Sequence, residues 1–153
     1  MRKIIAFALL SLLITGFIWG NSIKTIEQSK DQSTPVAETI QPVVDPQQKI
    51  PKPVFHGFTR KMAHVTEFFA LGLSVAGFSA CLGAYLKRRF ISMPILLVLL
   101  VAVLDEYIQY FAKRGSLVTD VVLDFSGAMA ALVLVWLARG VIALIKKRKE
   151  RML

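Results

Sequence analysis

Four long apolar segments constrain this chain more than any other feature of its sequence. They cover residues 4–20, 62–86, 91–111 and 117–145 of a chain of 153 residues, of which 55% are hydrophobic. Each segment is close to the ~20 residues with which a helix crosses about 30 Å of hydrocarbon. Polar residues do not recur in them every three or four positions, as they would in a soluble helical bundle. The sequence therefore predicts an all-α membrane protein with four transmembrane helices.

The net charge of +9 arises largely from basic residues beside the apolar segments, at the N-terminus, in the 87–89 loop and in the tail after residue 145. Short loops rich in Lys and Arg remain cytoplasmic. The chain is therefore predicted to be a multi-pass protein of a bacterial cytoplasmic membrane, with both termini in the cytoplasm. The tail is expected to lie on anionic membrane lipids, and this distribution argues against a nucleic-acid partner. The sequence indicates no oligomeric state.

Residues 21–59 differ sharply from the apolar segments because they are rich in Gln, Ser, Thr, Pro and Lys. Five prolines lie there, at Pro35, Pro42, Pro46, Pro51 and Pro53. Proline interrupts helices, so this segment is predicted to be an extended external loop with a short helix near residues 25–30. The predicted domains are a first transmembrane helix at 1–20, which is expected to stay uncleaved, an external linker at 21–59, and a three-helix membrane core with a basic cytoplasmic tail at 60–153.

Polar and ionisable residues gather at one end of the second, third and fourth apolar segments. A charged group near the centre of a bilayer costs at least about 2.5–3.5 kcal/mol, so such groups usually face the interior of the bundle and have a function. Within each segment their spacing places them on one helix face, as for Arg60, His64 and Glu67. The candidate polar site comprises Arg60, Lys61, His64, Glu67, Asp105, Glu106, Gln109, Arg114, Asp120 and Asp124.

Topology places the ionisable residues of these helices in the outer leaflet of the membrane. At a rise of 1.5 Å per residue, Glu67, Asp105 and Asp124 all lie roughly 10–12 Å below the predicted outer boundary. The inner halves of the same helices carry no comparable groups. The sequence therefore predicts one outer-leaflet site, with Arg114 paired to a carboxylate, and it predicts close helix packing at Gly72 and Gly127.

Two functions fit this cluster from the residues alone. Arg60, Lys61 and Arg114 are suited to hold a phosphate of an envelope lipid or lipid-linked cell-wall precursor, while His64 or a carboxylate exchanges protons. The alternative is a non-enzymatic structural or regulatory partner whose polar cluster is interhelical glue. Binding and catalysis both stay open, since no serine or cysteine nucleophile stands beside a histidine. No catalytic residue, metal or cofactor is assigned, and ion transport is disfavoured because the inner halves are apolar.

Three motifs in order resemble the VanZ-like family, small bacterial membrane proteins named for a glycopeptide (teicoplanin) resistance protein. They are Arg60-Lys61-x-x-His64-x-x-Glu67-Phe68 before Leu71-Gly72, then Asp105-Glu106-x-x-Gln109-x-Phe111, then Arg114 with Asp120-Val121 and Gly127. Asn21-Ser22, Gln28-Ser29 and Gln32-Ser33 also look like the serine-containing stretch after the family's first helix. Asp124 departs from the asparagine often found there, and Ala131 from a glycine. The resemblance implies a link to glycopeptide sensitivity and supplies no established reaction.

Overall fold

The computed structural model describes residues 1–151 and arranges them in helices, with no strand in that range. The helices are α1 (Arg2–Ser22), α2 (Ile26–Val44), α3 (Lys52–Leu86), α4 (Ser92–Phe111) and α5 (Val118–Glu150). All of them except α2 are long and apolar enough to cross a membrane. The predicted fold class, an all-α membrane protein with four transmembrane helices, is confirmed.

Helix α3 is the centre of the bundle, because it contacts each of the other four helices. The core is apolar and consists of Ile18, Phe68, Leu71, Val75, Ala76, Val98, Ala102, Ala128 and Leu132. Large apolar side chains on the outer faces of α1, α4 and α5 are exposed, as helices that face lipid require. Helix α1 is therefore part of the packed bundle, together with the three helices of the predicted membrane core.

The bundle has two chemically different ends. The N-terminal residues of α1 lie beside Cys81 and Tyr85 of α3, and Arg139 of α5 lies beside the 87–91 turn. We call this the basic end. The opposite end, which carries α2 and the 112–117 turn, is called the polar end. The four-span arrangement thus gathers the terminal regions at one end, while the side of the membrane that each end occupies stays a prediction.

Close contact between α3 and α5 depends on two glycines. A Cβ atom added at Gly72 would collide with the carbonyl oxygen of Ala128, and one added at Gly127 would lie 2.6 Å from the carbonyl oxygen of Val65. In lipid, helices gain little from hydrophobic association, so close approach of small residues contributes much of the attraction. Both glycines therefore lie where the two backbones approach most tightly.

The expectation of an extended loop between the first two spans is wrong, because residues 26–44 form α2. Thr25 caps this helix in a reciprocal arrangement with Gln28, which satisfies two otherwise free N–H groups. Pro35 and Pro42 lie inside it. Each proline leaves the carbonyl four residues earlier without its helical partner, but those residues, Asp31 and Glu38, are exposed and can bind water. The start of the predicted short helix near residue 25 agrees with the structure.

Helix α3 begins at Lys52, eight positions before the predicted core boundary at residue 60. Pro51 is its N-cap and Pro53 lies in its first turn. Proline is tolerated there because the first turn has no helical partner for its N–H groups. With 35 residues, α3 is about 52 Å long and extends well beyond the hydrocarbon at the polar end.

Replacing either packing glycine by alanine should destabilise the bundle. For Gly72→Ala and Gly127→Ala we expect a loss of about 1–3 kcal/mol, the usual cost of overpacking, measured as a lower unfolding midpoint in detergent. Gly16→Ala is the matched control, since a Cβ at Gly16 meets nothing within 4 Å. Equal midpoints for all three variants would contradict the close contact.

The predicted orientation is testable by labelling cysteines in intact cells. Cys81 is the only cysteine, so Cys81→Ala provides the background. Glu38 and Lys149 are both exposed and lie at opposite ends of the bundle. We expect Glu38→Cys to react with a membrane-impermeant thiol reagent and Lys149→Cys to react only after permeabilisation. The reverse pattern would overturn the orientation.

Candidate functional site

Asp105 is the centre of a buried hydrogen-bonded chain at the polar end. Its side chain has no exposed surface. The Ser22 hydroxyl donates to Asp105 Oδ1 at 2.6 Å, and the Gln109 amide donates to Asp105 Oδ2 at 2.8 Å. Ser22 is the last residue of α1 and Asp105 lies in α4, so this carboxylate joins two helices that are distant in sequence. The predicted one-turn spacing of Asp105 and Gln109 does produce a direct hydrogen bond.

Glu67 points towards α1. The side-chain amide of Asn21 donates from Nδ2 to Glu67 Oε1 at 3.0 Å. The side-chain oxygen of the same residue, Oδ1, accepts a 2.9 Å hydrogen bond from Lys24 Nζ. Glu67 lies beside Leu13 and Phe17 of α1. The structure therefore places Glu67 on the contact between α1 and α3.

Glu106 is used to close the turn between α4 and α5. Its Oε1 accepts a 2.6 Å hydrogen bond from the backbone N–H of Leu117, the residue that precedes α5. Glu106 is buried. It thus satisfies a backbone donor at the start of a helix, where N–H groups have no helical partner.

Arg114 is directed inward by the way α4 ends. Lys113 adopts a left-handed conformation with φ 56°, and the backbone N–H groups of Lys113 and Arg114 bond back to the carbonyls of Tyr110 and Gln109, each at 3.1 Å. This pattern is a Schellman motif. It turns the chain so that Arg114, although it follows the helix, is buried.

The expected ion pair between Arg114 and Asp105, Glu106 or Asp120 is not formed within residues 1–151. The Arg114 guanidinium instead donates to the backbone carbonyl of Asn21 and to the Ser29 hydroxyl, each at 3.1 Å. The Asn21 carbonyl belongs to the last turn of α1, where carbonyls lack helical partners and attract donors. Arg114 thereby joins the end of α1, the start of α2 and the α4–α5 turn.

A polar cavity of about 250 Å³ lies between α3 and α5 at the polar end. Seven of the predicted site residues line it: Arg60, Lys61, His64, Gln109, Arg114, Asp120 and Asp124. Lys61 and Gly115 are exposed, so the cavity reaches the surface. Glu67, Asp105 and Glu106 are outside the lining, because each is held by a neighbouring helix or turn.

Within the cavity, Lys61 forms an ion pair with Asp120, which joins α3 to α5. The Nε of Arg60 and the Nδ1 of His64 are buried and have no hydrogen-bond partner in the described part of the chain. His64 Nδ1 lies 3.9 Å from Asp105 Oδ2, which is too long for a hydrogen bond. Burial lowers the pKa of the Arg114 guanidinium, and repulsion from Arg60 lowers it further. Both guanidinium groups belong to residues that line this one cavity.

His64, Asp105 and Asp124 each have one atom that could bind a metal ion, and these three atoms lie within 4.8 Å of one another. Imidazole and carboxylate are possible ligands of divalent cations. Both oxygens of Asp105, however, already accept hydrogen bonds from Ser22 and Gln109. Each of these oxygens keeps a second lone pair, so the two hydrogen bonds do not decide whether a cation binds, and the absence of a metal assignment stays a prediction.

Asn21, Ser22 and Ser29 take part in the site although the sequence analysis did not include them among its residues. They contact Glu67, Asp105 and Arg114 respectively. The available signal was the serine-containing stretch after the first helix. It marked a resemblance, but nothing in the local sequence identified the carboxylates and guanidinium that those residues contact.

A comparison with models of protein families shows to which family the chain belongs. A family model described as VanZ/LLP1 matches residues 7–139 of the 153 residues. The chain belongs to the VanZ/LLP1 family. No curated protein and no solved structure matches it. The VanZ/LLP1 match contains every residue of the polar cavity and of the hydrogen-bonded chain around Asp105, whereas the basic tail after Arg139 lies beyond it.

Removing the Ser22 hydroxyl should weaken the α1–α4 contact of this VanZ/LLP1 protein. For Ser22→Ala we expect a loss of about 1–2 kcal/mol, since Asp105 would lose a buried donor. Unfolding in detergent measures this loss. Ser126→Ala is the control, because that exposed hydroxyl donates only to Leu123 of its own helix. In an Asp105→Ala background, which removes the acceptor, the Ser22→Ala effect should shrink, and an unchanged effect would contradict the pairing.

Proposed function

We propose that the polar cavity binds the phosphate-bearing headgroup of an envelope lipid or lipid-linked cell-wall precursor, and that this binding changes glycopeptide sensitivity. The observation that carries the proposal is the grouping of Arg60, Lys61 and Arg114 around one cavity, together with the buried Nε of Arg60, which has no partner within residues 1–151. The proposed role is recognition without covalent chemistry.

An anion is the ligand that this arrangement suits best. A buried donor without a partner costs about 1–3 kcal/mol, and more when it is charged. A phosphate oxygen beside Arg60 would remove that cost, because guanidinium groups bind phosphate through paired, charge-assisted hydrogen bonds. Arg114 is already held by Asn21 and Ser29, so its charge stays in place without an ordering cost on binding.

The opposite wall of the cavity suits hydroxyl groups. Asp120 and Asp124 both line it, and carboxylates accept hydrogen bonds from alcohols. Lipid headgroups built on glycerol or a sugar carry a phosphate together with hydroxyl groups. The combination of basic and acidic walls therefore favours such a headgroup over a simple anion.

The size and position of the cavity support a headgroup rather than a whole lipid. Its volume of about 250 Å³ is slightly below the range of ~300–1,000 Å³ usual for small-molecule pockets. It lies at the polar end, which the charge distribution predicts to be external. Apolar chains of the same ligand would stay in the bilayer beside the bundle.

Family membership supports the link to glycopeptides. The chain belongs to the VanZ/LLP1 family, and the VanZ-like proteins are named for a teicoplanin resistance protein. A protein that binds an envelope precursor at the outer surface would change the amount of that precursor that is accessible to a glycopeptide.

The alternative, a non-enzymatic partner whose polar cluster is interhelical glue, is favoured by a different set of contacts. Ser22 with Asp105 joins α1 to α4, Asn21 with Glu67 joins α1 to α3, and Lys61 with Asp120 joins α3 to α5. These contacts account for much of the cluster. They do not involve Arg60, on which the binding proposal depends.

Arg60→Gln should weaken binding of a polyprenyl phosphate to the purified full chain by at least roughly tenfold, as expected when a charge-assisted hydrogen bond is lost. Native mass spectrometry in detergent measures the bound fraction. Lys113→Gln is the control, because it removes an equal charge from an exposed neighbour of Arg114 that does not line the cavity. Equal losses in the two variants, or none for Arg60→Gln, would favour the glue alternative.

The same pair of variants tests the cellular effect. At matched abundance, expression of the wild-type chain should change the minimum inhibitory concentration of a glycopeptide, and Lys113→Gln should preserve that change. Arg60→Gln should abolish it. Unchanged sensitivity with the wild-type protein across several glycopeptides would remove the proposed physiological role.

A further inference from the structure

A second and larger cavity, of about 680 Å³, lies at the basic end between α3 and α5. We call it the basic groove. Four cationic residues line it: Lys87, Arg88 and Arg89 of the turn after α3, and Arg139 of α5. It shares no lining residue with the polar cavity.

We propose that the basic groove binds one anionic phospholipid, with the lipid phosphate among the four cations and an acyl chain between α3 and α5. The occupant is a lipid of the leaflet at the basic end, and its recognition is independent of the function proposed for the polar cavity.

The cations of the groove are available to a ligand. All four are exposed, and none forms an ion pair with a carboxylate of residues 1–151. The nearby acidic residue of the α5 tail, Glu150, pairs with Lys146 instead. Each basic residue near an anionic membrane surface adds to the attraction, and the arginines can bind a phosphate with two parallel hydrogen bonds.

The turn that carries three of these cations is held in one conformation. Lys87 adopts a left-handed conformation with φ 53°, and the N–H of Arg88 bonds to the carbonyl of Gly83 at 3.0 Å. The Ser79 hydroxyl donates to the carbonyl of Phe90 at 3.1 Å. The basic side chains therefore start from a defined backbone, which lowers the cost of ordering them around a headgroup.

The rest of the groove has the shape and polarity of an acyl-chain site. Ala76, Ala80 and Gly83 line it from α3, and Gly140 and Ala143 line it from α5. These small residues leave space between the helices. Ala76 precedes Lys87 by 11 positions, about 16 Å along a helix, so the apolar part runs from the cations towards the middle of the bilayer. A phospholipid, with a charged headgroup followed by apolar acyl chains, matches this order of cationic and apolar lining.

Titration of the purified full chain with phosphatidylglycerol and with phosphatidylcholine of the same acyl chains tests the headgroup preference. We expect native mass spectra to show tighter binding of phosphatidylglycerol. Arg88→Gln/Arg139→Gln should weaken that binding by roughly 25-fold, about fivefold for each cation removed. Lys147→Gln/Arg148→Gln removes two charges from the exposed tail outside the groove. In detergent no membrane surface faces the tail, so this variant should change the binding of a single lipid by less than about twofold.

A second pair of variants tests the location without changing charge. A Cβ at Gly140 meets nothing within 4 Å, and the same holds for Gly16 on α1. Gly140→Phe should fill the groove and abolish the preference for phosphatidylglycerol, whereas Gly16→Phe should preserve it, with circular dichroism showing equal helix content. Equal binding of the two lipids by the wild-type chain, equal losses in the groove and tail double variants, or full binding by Gly140→Phe would each overturn the proposal.

Discussion

The tight crossing of α3 and α5 is the contact on which the rest of the molecule depends. These helices run in the same direction, and Gly72 and Gly127 let each backbone approach a carbonyl of the other. Because Gly127 lies against Val65, the neighbouring His64 comes to the level of Asp124, one turn earlier on α5. The Lys61–Asp120 ion pair follows one turn further towards the polar end. A wider crossing would separate the two walls of the polar cavity.

Lipid cannot hydrogen-bond to polar groups, so a buried polar cluster in a bundle must provide its own partners. The residues at the polar end meet this requirement unevenly. Asp105 and Glu106 accept hydrogen bonds from neighbouring segments and thereby hold helices together. Within residues 1–151, Arg60 and His64 retain buried nitrogen atoms without partners, and Glu67 and Glu106 each retain one such carboxylate oxygen. The contacts that hold helices together therefore do not use Arg60, on which the proposed recognition rests.

The sequence was sufficient for the features that depend on local spacing and on the length of apolar runs. The four spans follow from segment length, and the common face of Arg60 and His64 follows from helical periodicity. It was insufficient where a distant partner decides the outcome. Ser22 and Asp105 are 83 positions apart, and the turn of Glu67 towards Asn21 depends on how α1 packs. Helix α2 was not predicted because every proline was taken as a helix breaker. Pro35 and Pro42 are tolerated because the carbonyls that they leave without a helical partner are exposed to water and because Thr25 and Gln28 cap the helix.

The lengths of α3 and α5 have a consequence for how the protein is seated in a membrane. With 35 and 33 residues, these helices are about 50 Å long, whereas the hydrocarbon is about 30 Å thick. The apolar stretch of α3 is bounded by Lys61 and Lys87, and that of α5 by Asp120 and Arg139. Charged residues at both boundaries resist vertical displacement, so a thinner bilayer is accommodated by tilt of the helix pair and a thicker bilayer by local thinning of the lipid. The lengths of α3 and α5 thus determine how far each end of the bundle extends beyond the hydrocarbon.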